Sequence, residues 1–419
     1  MPFLIKNAII IQEGHPRHLK KSDILLSGGK IQKVAAKIES DATVISGKNL
    51  HVSFGWHDMR SHLADPGLEY KENIHQLAAA AARGGFTSFS TLPNTDPVMD
   101  SKSGIQYAIK ANQSDLSELL PFGSLSEKNL GKDLAEMYDM HQHGAVAFTD
   151  GNNAVKSGLL KKALQYVQSF NGLIVTLPLD ASLHHDGQIN ESESTVVTGL
   201  KSSPALAEYS CVKQQLDVLE YTGGRLHFSC ISTKESVNLI KEAKKKGLNV
   251  SCDVSIYNLC FTDEKVVNFD ANFKLMPMLR TKEDRKALIK GVNDGTIDAI
   301  VSNHQAQNVE LKKVEFDYAD YGAISLQTFY SLYNEHLQNE IDNSTFVNAV
   351  SSNPRRILGL EQTEIKEGEA ANLCVFDSKE QWMLNKDTNE SQAVNTHLWN
   401  SQLDGKIVAS IRGSKVKLY

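Results

Sequence analysis

The sequence predicts an α/β fold: a (β/α)8 TIM-like barrel carrying a small β-sandwich domain built from both chain ends. Three observations predict it. The middle of the chain alternates short apolar strands with longer amphipathic stretches, the rhythm of parallel βα units. Both ends read as strands and turns without helical periodicity. The length, 419 residues, suits one large barrel with an accessory domain.

Taken in order, residues 3–11 form an apolar strand, and 23–26 and 30–34 form two more joined through Gly28-Gly29, a two-residue hairpin signal. The last fifty residues match this character, with a strand at 372–376 and a pair at 406–411 and 415–419 turning at Gly413. The expected organisation is a discontinuous β domain of residues 1–52 plus 362–419 around a barrel of residues 53–361. Eight barrel strands are expected at 53–59, 87–92, 120–125, 145–149, 173–177, 225–231, 248–254 and 299–302. Between them, Thr281-Lys282-Glu283-Asp284 opens a helix with a capping-box pattern and Gly295 follows its last turn. Val237, Ile240 and Ala243 space another helix, which Gly247 stops.

A formal charge of -6, with 41% hydrophobic and 22% charged residues, offers no basic footprint for nucleic acid. No apolar run approaches the ~18 residues that span a bilayer, so no membrane association is expected and the expected compartment is the cytoplasm. The five cysteines Cys211, Cys230, Cys252, Cys260 and Cys374 are widely spaced and read as reduced thiols.

Catalytic residues of such barrels sit at the C-terminal ends of the strands. The first of these reads Gly55-Trp56-His57-Asp58-Met59-Arg60-Ser61-His62-Leu63-Ala64-Asp65-Pro66-Gly67. Further motifs follow in order: Leu92-Pro93-Asn94-Thr95-Asp96-Pro97, Ala147-Phe148-Thr149-Asp150-Gly151, Leu279-Arg280-Thr281, Asp294-Gly295-Thr296 and Asn353-Pro354-Arg355-Arg356. Nearly end to end, the chain resembles a dihydroorotase of the amidohydrolase superfamily.

That resemblance implies a zinc centre that makes hydroxide available near neutral pH and polarises the ring carbonyl. It implies two histidines after strand one, a bridging acid or modified lysine after strand four, histidines after strands five and six, and a proton-shuttling aspartate after strand eight. Position by position, Arg60 replaces the first histidine while His62 keeps the second, and Asp150 matches the bridging acid. Leu177 and Cys230 replace the next two histidines, and Asn303 replaces the aspartate. Ala64 stands where an arginine would fork onto a substrate carboxylate, Met276 replaces a substrate asparagine, and Asn94 alone keeps its substrate position.

A guanidinium has no lone pair for zinc, and an amide has no proton to exchange near neutral pH. The expectation is therefore a degenerate, catalytically inactive member, a pseudoenzyme of pyrimidine biosynthesis with no catalytic residue and no metal or other cofactor. His62, Asp150 and Cys230 are its vestigial metal positions, Asn303 its degenerate general-base position and Asn94 its substrate-binding position. The resemblance also implies a scaffold or regulatory role beside aspartate carbamoyltransferase, and a homo-oligomer is expected. The alternative is an active dihydroorotase or related cyclic amidohydrolase whose zinc site is rebuilt from His62, Asp150 and Cys230, helped by His57, His304 or Cys252. A third reading is a sensor holding a pyrimidine-like ligand through Asn94. Two local expectations complete the sequence reading: Arg60 pairs with Asp150, taking zinc's place electrostatically, and His57 points away from the pocket by strand alternation.

Overall fold

The computed structural model describes residues 2–362 and 364–419. The chain opens with five strands, β1 (Phe3–Ile10), β2 (Lys21–Ser27), β3 (Lys30–Ala35), β4 (Thr43–Ile45) and β5 (Leu50–Phe54). Next come β6 (Trp56–His62), β7 (Phe86–Leu92), β8 (Glu118–Leu119), β9 (Gly123–Ser124), β10 (Phe148–Thr149) and β11 (Ile174–Thr176). After a short pair, β12 (Ile189–Asn190) and β13 (Ser202–Ser203), the chain continues through β14 (Leu226–Phe228), β15 (Val250–Ser255) and β16 (Ala299–Val301). It closes with β17 (Asn372–Met383), β18 (Gln402–Arg412) and β19 (Lys415–Leu418).

Strands from the two ends share one sheet in the order β19-β18-β17-β5-β1-β2-β3, with β4 against β1. Ser53 and Phe54, expected at the start of barrel strand one, belong instead to β5 and pair with Cys374 and Leu373 of β17. The break falls at Gly55, where a Cβ would lie 2.0 Å from Thr87 Oγ1. Trp56 follows it, fully buried among Phe86, Phe329, Tyr330, Phe346 and Phe376, and so packs the barrel against β17.

The eight barrel strands are β6, β7, the β8/β9 pair, β10, β11, β14, β15 and β16, paired in parallel. Strand three is split at Pro121, which has no N–H to donate. Its first half pairs with β7 and its second with β10. A parallel bridge between Ser61 and His304 closes the ring.

One irregularity decides what faces the barrel interior. In β6, Asp58 pairs with Phe89 while Ser61 pairs with Thr91, so three steps along β6 match two along β7 and one residue is extra. This bulge breaks the alternation of side chains. Met59 points inward with Leu92, Val175, Leu177, Cys230, Ala299 and Val301, and Arg60, the next residue, points inward too. Asp58 and Ser61 face outward. His57 is therefore also inward, hydrogen-bonded to Ser88 and Ser90 Oγ at 2.8 and 3.2 Å near the base of the barrel. The expectation that His57 turns outward fails because the bulge changes the parity between it and Arg60.

The two helix assignments hold. Thr281 and Asp284 form a capping box at the start of Lys282–Asn293, and Val237, Ile240 and Ala243 form the buried face of Lys234–Lys245.

Candidate active site at the barrel mouth

Arg60 is completely buried at the C-terminal end of strand one. Its Nε donates to Asn303 Oδ1 at 2.9 Å, one terminal nitrogen donates to Ser229 Oγ at 3.2 Å, and the other donates to Asn152 Oδ1. The guanidinium thus reaches strands six and eight and the loop after strand four, the positions that a metal centre would join. All three acceptors are neutral. Among the described residues no carboxylate lies within 4.0 Å of it. The nearest negative charge through bonded partners is Asp253, whose Oδ2 accepts from Ser229 Oγ at 3.0 Å.

The expected Arg60–Asp150 pair is therefore absent. Asp150 instead accepts from Ser126 N at 2.8 Å, Ser126 Oγ at 2.6 Å and Ser124 Oγ at 3.4 Å. These donors follow strand three and satisfy the buried carboxylate locally, without a cation. Asn303 links strand one to the loop after strand seven, accepting from Arg60 and donating from Nδ2 to the Met276 carbonyl at 2.9 Å.

The remaining vestigial positions do not converge. The thiol of Cys230 is fully buried, and that burial holds it protonated well above the ordinary thiol range. Its amide donates to Asp253 Oδ1 at 2.6 Å. Burial, reinforced by the Arg60 charge, pushes the His62 imidazole well below its usual pKa. Leu177 lies in the interior apolar layer.

Other histidines are committed elsewhere. His304 accepts at Nδ1 from the amides of Ser325 and Leu326 at 3.1 and 3.3 Å, so Nε2 carries the proton and donates to Glu72 at 3.0 Å. His227 meets Ser251 Oγ through Nδ1 and donates from Nε2 to Asp253, each at 2.8 Å. The Cys252 thiol donates to the Thr296 carbonyl at 3.3 Å.

Among the described residues no three His, Cys, Asp or Glu side chains come together in a way that could hold a metal ion. Zinc needs deprotonated thiolate, neutral imidazole or carboxylate lone pairs aimed at one point. Here the carboxylate is turned to serines, the thiol lies in the interior apolar layer, and the Arg60 cation is bonded to Asn303, Ser229 and Asn152. This donor set does not fit zinc.

Asn94 donates from Nδ2 to the Asp150 carbonyl at 3.5 Å, and its buried Oδ1 has no partner. One cavity of about 10 Å³ lies between Leu177, Met276, Glu208 and Arg280, far below the roughly 300 Å³ of a typical ligand site. Above it, the loop 305–322 is strapped down. Lys274 donates to the carbonyls of Phe316 and Asp317 at 2.7 and 2.9 Å, Gln188 to Asp317 O at 3.3 Å, and Tyr321 Oη to Gly187 O at 3.1 Å.

Sequence reasoning missed Asn152, Ser229 and Asp253 as the partners of the buried centre. Asp253 carried a usable signal, since it is the only acidic residue in an otherwise apolar or small-residue strand, Val250–Ser255.

The fold is that of cyclic amidohydrolase barrels. L-hydantoinase from Arthrobacter aurescens superimposes with a TM-score of 0.86 at 20% identity, covering 100% of this chain and 97% of that one. Dihydropyrimidinase from Brevibacillus agri superimposes at 0.83 with 18% identity, covering 100% and 95%. Within that class sequence similarity is more specific. The dihydro-orotase-like family profile matches residues 51–236. A dihydroorotase of Caldicellulosiruptor saccharolyticus is 36% identical over 421 residues, 99% of this chain and 97% of that protein. One from Aquifex aeolicus is 35% identical over 422 residues, covering 99% of each. The chain belongs to the dihydroorotase-like family.

Proposed function

We propose that this chain is a dihydroorotase-like protein of pyrimidine biosynthesis that has lost ring-opening hydrolysis, and that it works in the cytoplasm as a scaffold or regulatory subunit for aspartate carbamoyltransferase. The observation that carries the first part is the Arg60 guanidinium, buried between strands one, six and eight and bonded to Asn303, Ser229 and Asn152. Hydrolysis of a ring amide needs an activated water and a group that takes up its proton. Asn303 has no titratable proton near neutral pH, and the surrounding donors do not suit a metal. A cation and an amide in these two places remove both requirements together.

The scaffold part rests on the family resemblance and on an intact fold around the altered centre. A homo-oligomer belongs to the same reading.

Dihydroorotate hydrolysis and its reverse are measured with purified chain, with and without zinc, beside a family member carrying the full histidine set. No turnover is expected under conditions where that control works. Zinc-dependent turnover sinks the reading. The scaffold role is tested by mixing the chain with the aspartate carbamoyltransferase of the same cell, where co-elution and altered carbamoyltransferase activity are expected; separate elution with unchanged activity rejects it.

A further inference from the structure

A cavity lies against residues 309–314 of the loop 305–322. It measures about 410 Å³ and is lined by Phe269, Trp399 and Val314 together with Lys312, Lys313 and one acidic residue, Asp270. This volume is within the usual range for small-molecule sites, roughly 300 to 1,000 Å³.

Lys312 is the unusual member of the lining. Only 8% exposed, its ammonium donates to the carbonyls of Asp320 and Gly322 at 2.7 and 3.0 Å. An ammonium has three protons to donate, so one is left over. Among the described residues no carboxylate pairs with it within 4.0 Å. The charged groups facing it are Lys274, which repels it, and Asp320 and Asp270, which attract it from further away. A buried cation bonded only to neutral carbonyls is costly unless a counter-charge arrives.

We propose that this cavity binds a small organic carboxylate with a flat apolar body, its carboxylate meeting the Lys312 ammonium and its ring lying among Phe269, Trp399 and Val314. Lys313 adds positive charge on the same side. Because Lys312 also holds the carbonyls of Asp320 and Gly322, such a ligand would bear directly on the loop that covers the barrel mouth. The inference stands apart from whether the barrel hydrolyses anything.

Proton linkage gives the site a signature. Burial first, then the Lys274 charge, lower the Lys312 pKa to about 7. A carboxylate that binds only the ammonium form loses affinity as that form disappears, by about tenfold between pH 6 and pH 8.

Benzoate is the probe, titrated calorimetrically at pH 6 and pH 8 in two buffers of different ionisation enthalpy, with benzamide as its uncharged counterpart. Expected are saturable benzoate binding, proton uptake on binding, an affinity about tenfold higher at pH 6, and binding of benzamide or by Lys312→Met weaker by about tenfold or more. No benzoate binding, equal binding of benzamide, or an affinity independent of pH overturns the proposal, as does an unchanged Lys312→Met. If that variant does not fold, the pH pair measured on the native chain decides.

Discussion

Strands one and eight meet twice, on opposite faces, and the two meetings solve the problem of a buried charge in opposite senses. On the outer face, the carboxylate of Asp58 accepts from Ser302 N, Ser302 Oγ and Ser61 Oγ at 2.7, 2.7 and 2.6 Å. On the inner face, two residues further along and within the bulge, the Arg60 guanidinium donates to Asn303 and to two other neutral oxygens. Among the described residues neither charge has a direct ionic partner within salt-bridge distance. The outer site ties the closing strands of a barrel together, which any sequence with this fold must do. The inner site lies where the family resemblance would put the catalytic centre. Closure of the ring and chemistry at its mouth therefore sit on adjacent residues yet change independently.

The largest effect is expected on the outer face. Asp58→Ala leaves one amide and two hydroxyl groups buried without their acceptor, at about 1–3 kcal/mol for each unsatisfied group. A loss of about 4 kcal/mol is expected in urea unfolding; a loss below 1 kcal/mol would mean that strand closure does not depend on this carboxylate. The same group predicts a pH effect. Burial raises the Asp58 pKa from 3.8 to about 6, against the hydrogen bonds from Ser302 and Ser61. Between those values the folded chain holds the proton more tightly than the unfolded chain, so this group's contribution to stability falls as pH rises from about 4 to about 6. At about 1.4 kcal/mol per unit, the fall is about 3 kcal/mol. Asp58→Asn removes this component, and the difference between its stability profile and that of the native chain should carry the slope.

Arg60→Met comes next. It keeps much of the side-chain volume but strands three acceptors, which tolerate desolvation better than donors do, and a loss of about 2 kcal/mol is expected by chemical unfolding. The variant should acquire no zinc, because Asp150 remains bonded to Ser124 and Ser126 and the Cys230 side chain remains in the interior apolar layer. Stoichiometric zinc in Arg60→Met after gel filtration would show that the cation alone had been excluding the metal.

What the sequence made legible followed from periodicity and residue chemistry. Eight strands, the hairpin at Gly28-Gly29 and the capping box at Thr281 are local patterns, and each appears close to where the pattern puts it, except that residues 53 and 54 join β5 and strand three is split at Pro121. That arginine, leucine and cysteine stand at residues 60, 177 and 230 was equally readable, since side-chain identity needs no coordinates. The partner of Arg60 was not readable. Asp150 was the nearest family acid by motif, but its preference for Ser124 and Ser126 depends on how strand three resumes after Pro121. The inward turn of both Met59 and Arg60 depends on a bulge, which alternation in a single strand cannot reveal. Asp253, Ser229 and Asn152 meet Arg60 or its partners across the barrel, at separations that no local pattern encodes.

Asn303→Asp asks most directly why the inner site uses an amide. A carboxylate there would give Arg60 a charged partner, and a charge-assisted hydrogen bond contributes about 1.5–3 kcal/mol where a neutral one contributes about 1. The amide, however, does two jobs that an ionised carboxylate cannot do together. Its oxygen accepts from Arg60 while its nitrogen donates to the Met276 carbonyl. In Asn303→Asp the second oxygen would face that carbonyl without a proton between them, losing a hydrogen bond and adding repulsion. The two changes oppose each other, so stability at pH 7 is expected to stay within about 1 kcal/mol of the native chain. A gain above 2 kcal/mol would show that Arg60 lacks adequate compensation in the native protein and that Asp253, one hydroxyl away, supplies little of it. A near-neutral result would mean that an amide at this position suits the guanidinium as well as a carboxylate would, which makes Asn303 a fitted companion of Arg60.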